Sequence, residues 1–345
     1  RLDILNISTL KKYDSQEMHK FYDQWPQIAK ESFELKFDCG NFEKINHIVF
    51  AGMGGSGTIG DIFSALLSKT NIHVNVVKGY ILPQTVNSKT LVIVTSVSGN
   101  TSETLSILDS ANKKGCKIIA FSSGGNMKDY CLKNKVKHVM VKKYHSPRTS
   151  LVSYLYSMLK ILEKPINIKT DDVMESIKVL QELNKKINSS NLSDNNPSLK
   201  LANWISEIPM VYFPSGLDAA ATRFKNSLQE NAKMHIMKED VIEAGHNGIM
   251  AWEKENTVKP ILLQGIDDNI HTKERYKVIK EFFKKNQIEF YEIYSNKGSI
   301  LSKLVYLIYL LDYATIYYSI LTETDPSPVK SIDYLKSKVK NIFFI

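Results

Sequence analysis

Apolar and polar positions follow two alternating patterns along the chain. Short, nearly continuous apolar runs at 45–51, 72–77, 90–95, 117–121 and 137–141 read as strands. Stretches whose apolar residues recur every three or four positions, at 59–67 and 103–111, read as amphipathic helices between them. A shorter helix follows the turn Ser122-Ser-Gly-Gly125. Residues 151–200 are helical and then polar, and 188–197 combine turn formers without apolar periodicity. The pattern then restarts, with strands at 208–213, 258–263 and 288–293 and helices at 217–233, 273–285 and 299–321. Apolar strands alternating with helices imply mainly parallel sheets covered on both faces, an α/β fold. The chain divides into an N-terminal unit at 1–165, a helical connection and polar linker at 166–200, and a C-terminal unit of similar architecture at 201–345. The two halves show no close sequence repeat.

Composition adds limits. At about 150 residues per domain, 345 residues suit two domains. The chain is 43% hydrophobic and 23% charged, which excludes a disordered or collagen-like protein. A net charge of +9 suits a dispersed lysine-rich surface and small anionic ligands; nucleic-acid binding would need that charge gathered on one face. Three cysteines, Cys39, Cys116 and Cys131, form no C-x-x-C and no zinc spacing, so a reducing cytoplasm is the expected setting. The N-terminus carries no signal-peptide pattern. The most apolar stretch, 304–321, holds Asp312 at its middle, which a membrane span would resist, so a buried core helix and no membrane association are expected.

Two turns carry the chemistry. Gly52-Met-Gly-Gly-Ser-Gly57 follows a strand and precedes a helix, where Gly55 and Ser56 can approach a phosphate at the helix N-terminus. A dinucleotide site would need an acidic residue ending the second strand; that strand ends at Val77-Lys78-Gly79. A tight packing turn is the plainer alternative. The second turn, Ser96-Val-Ser-Gly-Asn-Thr101, places three hydroxyls before another helix. An ordinary N-cap explains any one of them but not Ser96, Ser98 and Thr101 together.

Together these segments resemble a sugar isomerase (SIS) domain, and more narrowly the bifunctional phosphoglucose/phosphomannose isomerase family. The match continues in order through Ser146-Pro-Arg148, Asn226-Ser-Leu-Gln-Glu230-Asn-Ala-Lys233, His246-Asn-Gly-Ile249 with Trp252-Glu253, Asp325-Pro-Ser-Pro-Val329 and Ile332-Asp-Tyr-Leu-Lys336. Val97 departs from it, standing where the family commonly has tyrosine. The resemblance implies two SIS-type domains and a cis-enediol isomerase of carbohydrate metabolism that needs neither metal nor cofactor. Its substrates would be hexose 6-phosphates: glucose and fructose 6-phosphate, and mannose 6-phosphate as well.

Such chemistry needs a base over two carbons, an acid/base pair to open the sugar ring, and positive charge near the enediolate. By the resemblance, phosphate lies on Gly55, Ser56, Ser96, Ser98 and Thr101. Glu230, otherwise a surface helix charge, shuttles the proton. His246, otherwise a turn residue among glycines, opens the ring with Lys336, otherwise a basic last helical turn. Arg148, otherwise a surface cation, steadies the enediolate. Ser327 or Val329 leaves room for both C2 epimers. The resemblance also implies a homodimer in which His246 serves the neighbouring subunit's site. Competing readings are a non-catalytic SIS sugar-phosphate-binding regulator, an aminating isomerase and a dehydrogenase.

Overall fold

The computed structural model describes residues 5–38, 40, 42 and 44–339, so Cys39 lies outside the described residues. Three helices come first: α1 (Ile7–Tyr13), α2 (Met18–Asp23) and α3 (Trp25–Phe33). Asn6 caps α1 by accepting the Thr9 amide at 3.0 Å. Strands and helices then alternate: β1 (His47–Ala51), α4 (Gly54–Leu67), β2 (His73–Val77), β3 (Leu91–Thr95), α5 (Ser102–Lys113), β4 (Lys117–Ser122), α6 (Gly125–Asn134) and β5 (Lys137–Met140). Helices α7 (Leu151–Leu162), α8 (Thr170–Ile187) and α9 (Pro197–Trp204) follow. The alternation resumes with β6 (Ile208–Phe213), α10 (Asp218–Ala232), β7 (Met237–Asp240), α11 (Val241–Ala244), β8 (Val258–Gly265), α12 (Ile270–Lys285), β9 (Tyr291–Ser295), α13 (Ile300–Leu321) and α14 (Lys330–Lys338).

The strands form two wholly parallel sheets. One has the order β2-β1-β3-β4-β5 and the other β7-β6-β8-β9. Every residue of β3 is buried, as a central strand covered on both faces requires. Beside the first sheet, Val92, Val94 and Ala120 pack with Ile107 and Leu108 of α5. Beside the second, Tyr212 and Leu262 pack with Tyr276, Ile279 and Phe283 of α12.

The compact units are not contiguous in sequence. The five-stranded unit takes Gln24–Met174 and the chain from Val329 onward; the four-stranded unit takes the chain up to Asp23 and Glu175–Pro328. The polar segment read as a linker is a packed turn within the latter. Asn196 there is fully buried, caps α9 through the Ser198 and Leu199 amides, and donates to Asn191 O at 2.8 Å. Ser189 donates to the Asp23 carboxylate through both its amide and its hydroxyl.

Helix α13 is the one described helix long and apolar enough to cross a membrane, and 94% of its most apolar stretch is buried in the protein. Its central Asp312 accepts from Arg223 Nη2 at 2.7 Å, Ser227 Oγ at 2.7 Å and Tyr22 Oη at 3.0 Å. A buried carboxylate is tolerable because it is paired and hydrogen-bonded. The aspartate is the mark of a core helix here. Tyr309, Tyr313 and Tyr317, one turn apart on α13, donate to the carbonyls of Tyr22, His19 and Ile187.

Candidate active site

The strand order of the five-stranded sheet reverses between the parallel neighbours β1 and β3: the chain steps outward to β2 on one side and to β4 and β5 on the other. Open parallel sheets bind ligands at such a point, beyond the carboxyl ends of the strands. Both phosphate-type turns stand there, Gly52–Gly57 after β1 and Ser96–Thr101 after β3. In the first, the Ser56 and Gly57 amides return to Met53 O at 3.1 and 3.3 Å. The amides of Gly54 and Gly55 are then the opening donors of α4 with no helical carbonyl behind them. A Cβ on Gly57 would fall 2.9 Å from Gly52 O, so this turn needs a bare α-carbon. Lys78, at the end of β2, lays its stem against Gly57 and meets Asp61 at 2.5 Å. A cation thus occupies the place where a dinucleotide fold sets its ribose-binding carboxylate.

The second turn is wired by its own hydroxyls. Ser96, buried, accepts the amides of Gly99 and Thr101 at 3.1 and 3.4 Å, and its Oγ lies 2.8 Å from Thr101 Oγ1. Ser98, exposed, accepts the Asn100 amide at 3.2 Å. Backbone N–H groups therefore fill oxygen lone pairs and turn the hydroxyls toward donating. The Ser96–Thr101 pair shares one hydrogen internally; the other, and that of Ser98, suit an anion. Thr101 stands at the N-cap position of α5 without a side-chain cap bond. Its hydroxyl meets Ser96 Oγ within the loop and makes no N-cap bond, so the N-cap alternative does not describe it.

Arg148 lies in the turn between β5 and α7, in the same unit, and is 6% exposed. A dense hydroxyl network shapes that turn: Ser150 Oγ donates to Ser146 O at 2.8 Å, Thr149 Oγ1 accepts the Ser146 amide at 3.1 Å, and Trp25 Nε1 donates to Thr149 O at 3.0 Å. Lys336 is exposed in the last turn of α14, which groups with this five-stranded unit by its contacts.

The four-stranded unit carries Glu230, Ser327 and His246. Glu230 is half-buried in the last turn of α10. Three residues of that helix, Arg223, Ser227 and Asn231, one turn apart, bind Asp312 and Thr315 of α13 and set its rotation. Lys233 then leaves the helix with φ 55°. Its ammonium donates to Glu230 O at 2.6 Å, and to Asp325 O and Pro326 O at 3.2 and 3.3 Å. The structure thereby brings the end of the Glu230 helix beside the segment of Ser327, which is buried, while Val329 is half-buried. In the sequence, the one mark of Lys233 is its place three residues after Glu230 in the same motif.

His246 is exposed in the turn after α11, its amide donating to Glu243 O at 2.9 Å. Asp240 caps α11 through the Ile242 and Glu243 amides. A Cβ on Gly248 would fall 2.2 Å from Glu239 Oε2, so the Glu239 carboxylate packs directly on this turn. Burial, and then the charges of Glu243 and Asp240, push the Glu239 carboxyl above its ordinary range. Among the described residues, no three His, Cys, Asp or Glu side chains gather as a metal site.

The chain's likeness to known proteins agrees with the two-sheet α/β fold. Residues 41–154 match the SIS domain, and residues 194–339 match the bacterial phospho-glucose isomerase C-terminal SIS domain. The tagatose-6-phosphate ketose/aldose isomerase of Escherichia coli superposes with a TM-score of 0.68 at 15% identity, covering 95% of this chain and 98% of that one, which is a likeness of fold. The bifunctional phosphoglucose/phosphomannose isomerase of Aquifex aeolicus is 30% identical, covering 93% of this chain and 96% of that protein. The enzyme of the same name from Caldicellulosiruptor bescii is 33% identical over 330 residues, covering 92% of this chain and 97% of its own. With both SIS modules matched and identity sustained over nearly the whole length, the chain belongs to the bifunctional phosphoglucose/phosphomannose isomerase family.

Proposed function

We propose that this protein is an aldose–ketose isomerase interconverting glucose 6-phosphate with fructose 6-phosphate, and mannose 6-phosphate with fructose 6-phosphate, by proton transfer through a cis-enediol and without a metal. The observation that carries this reading is the pair of turns at the switch point of the five-stranded sheet, one offering helix amides and the other donor hydroxyls. Gly55, Ser56, Ser96, Ser98 and Thr101 hold the phosphate. His246 and Lys336 open the ring by moving a proton between the ring oxygen and the anomeric hydroxyl. Glu230 takes the proton from C2 of the aldose as the electron pair forms the C1–C2 double bond and the carbonyl oxygen gains a proton. Return of the proton to C1, as the C2 hydroxyl gives up its proton and the C1–C2 double bond is replaced by the C2 carbonyl, gives the ketose. Arg148, always charged, stabilises the enediolate oxygens.

Exposure of His246 on a turn supports its use by a second subunit, and the homodimer is part of the proposal. So is a cytoplasmic setting, which the free thiols of Cys116 and Cys131 suit. Both C2 epimers react because Ser327 is short, with Val329 the other residue of that segment able to leave room.

A coupled assay with glucose 6-phosphate and with mannose 6-phosphate, each with and without a chelator, tests the reading. Turnover of both sugars, unchanged by chelator, is expected. Loss of activity with chelator would overturn the metal-free mechanism. Sugar-phosphate binding without solvent deuterium entering at C2 would make the protein a regulator instead.

A further inference from the structure

The turn at the end of β4, Ser122-Ser-Gly-Gly125, opens α6 at the carboxyl edge of the same sheet, and two of the amides in the first turn of α6 already have acceptors. They are taken by the neighbouring loop. The Asn126 amide donates to Asn100 Oδ1 at 2.9 Å and the Met127 amide to Gly99 O at 2.9 Å. In the same seam, Ser123 donates to Val97 O through its amide at 3.1 Å and its hydroxyl at 2.6 Å. The two turns cross so closely that a Cβ on Gly99 would lie 1.9 Å from Gly124 O, and one on Gly125 would lie 2.4 Å from Ser98 O. Gly99 also has φ +73°, so only glycine suits both demands.

Asn100 is the one member of this seam that reaches across with a side chain from between Ser98 and Thr101. Its amide meanwhile donates to Ser98 Oγ at 3.2 Å. We propose that Asn100 is a positioning residue: it ties the Ser96–Thr101 loop to the start of α6, and so holds the Ser98 and Ser96 hydroxyls in their donating orientation toward the sugar phosphate. The α6 N-terminus, which by its dipole is an anion site, serves here as the anchor of the loop next door. This rests on the reading of Ser96–Thr101 as the phosphate loop.

The test uses the full chain. Asn100→Ala removes the acceptor. Asn126→Pro removes the donor from the other side, at a first-turn position where proline is tolerated. Each is expected to raise the KM for glucose 6-phosphate and the inhibition constant of inorganic phosphate about tenfold, the worth of one hydrogen bond, with kcat within about twofold. The double variant should be no worse than either single one. A double variant whose effects multiply overturns the tie. Unchanged KM and inhibition constant in Asn100→Ala, beside a rise in Ser96→Ala, overturns the proposal and leaves the phosphate loop standing. Unchanged constants in Ser96→Ala overturn both. Should Asn126→Pro not fold, the KM-against-kcat split of Asn100→Ala decides alone.

Discussion

His138 shows how one side chain ties stability to the loops around the site. Ser122 Oγ, buried, donates to Gly124 O at 2.8 Å and lies 2.7 Å from His138 Nε2. The hydroxyl has one hydrogen, so the imidazole is the donor in that contact. Burial first, and then Lys128, hold the imidazole below the ordinary histidine value of 6.5. The unfolded chain therefore binds this proton at higher pH than the folded one, and stability must fall as pH falls. We expect His138's share to be intact above about pH 6.5 and to be lost progressively below it. Urea unfolding of the parent and of His138→Gln from pH 7.5 to 5 checks this; the parent should lose stability more steeply, and equal slopes would refute it. At this scale the sequence made the hydroxyls of Ser96, Ser98 and Thr101 readable, because motif and chemistry coincide in neighbouring residues. Asn100 and Lys233 were not readable as partners. What they do depends on which turn or loop the fold lays beside them.

Elements follow the same division. Strand β3 and helix α13 announce themselves, being apolar on every face. Strand β7 does not: Met-Lys-Glu-Asp is polar, and it forms because β6 offers it an edge, with Met210 to Phe213 paired against Met237 to Asp240. Helices α1 to α3 were likewise unread, as short segments whose helicity is set by tertiary packing more than by propensity. The α10–α13 contact was half legible. Asp312 stood out in an apolar run, but its partner Arg223, 1% exposed, looked like any surface cation on a helix. Asp312→Ala should destabilise by about 3–5 kcal/mol, because the buried Arg223 loses the carboxylate it is paired with. Replacing both, Arg223→Met with Asp312→Leu, should cost much less than either single change. Denaturant midpoints of the three variants test this, and additive losses would show that the pair is not a unit.

For the whole molecule, two parallel sheets followed from the pattern of apolar runs. Their membership in non-contiguous units did not, since nothing local in residues 5–23 says which sheet they join. Catalysis as proposed belongs at this scale too, because His246 would serve the neighbouring subunit's site. Glu230→Gln alone should bind substrate and lose about 10²–10⁴-fold in kcat, the usual contribution of a general base. His246→Ala alone should lose ring opening. Unfolded and refolded together, the two inactive chains should regain a fraction of the parent rate through mixed dimers with one intact site. A mixture as inactive as its parts would refute the sharing of His246, and near-normal turnover of Glu230→Gln would refute its role as base.

The interleaving of the units also sets an order of events during synthesis. The β1–β5 sheet is complete in the chain by Met140 and can form while the remainder is still being made. Helix α2 has no such early option. Its carbonyls at His19 and Tyr22 are held by Tyr313 and Tyr309, nearly three hundred residues later in translation. Helices α1 and α2 are thus made early relative to α13 and seated late. Until α13 emerges, Leu10, Met18 and Tyr22, all buried in the finished fold, lack the helix they pack on, which makes this stretch a target for a chaperone or protease during synthesis.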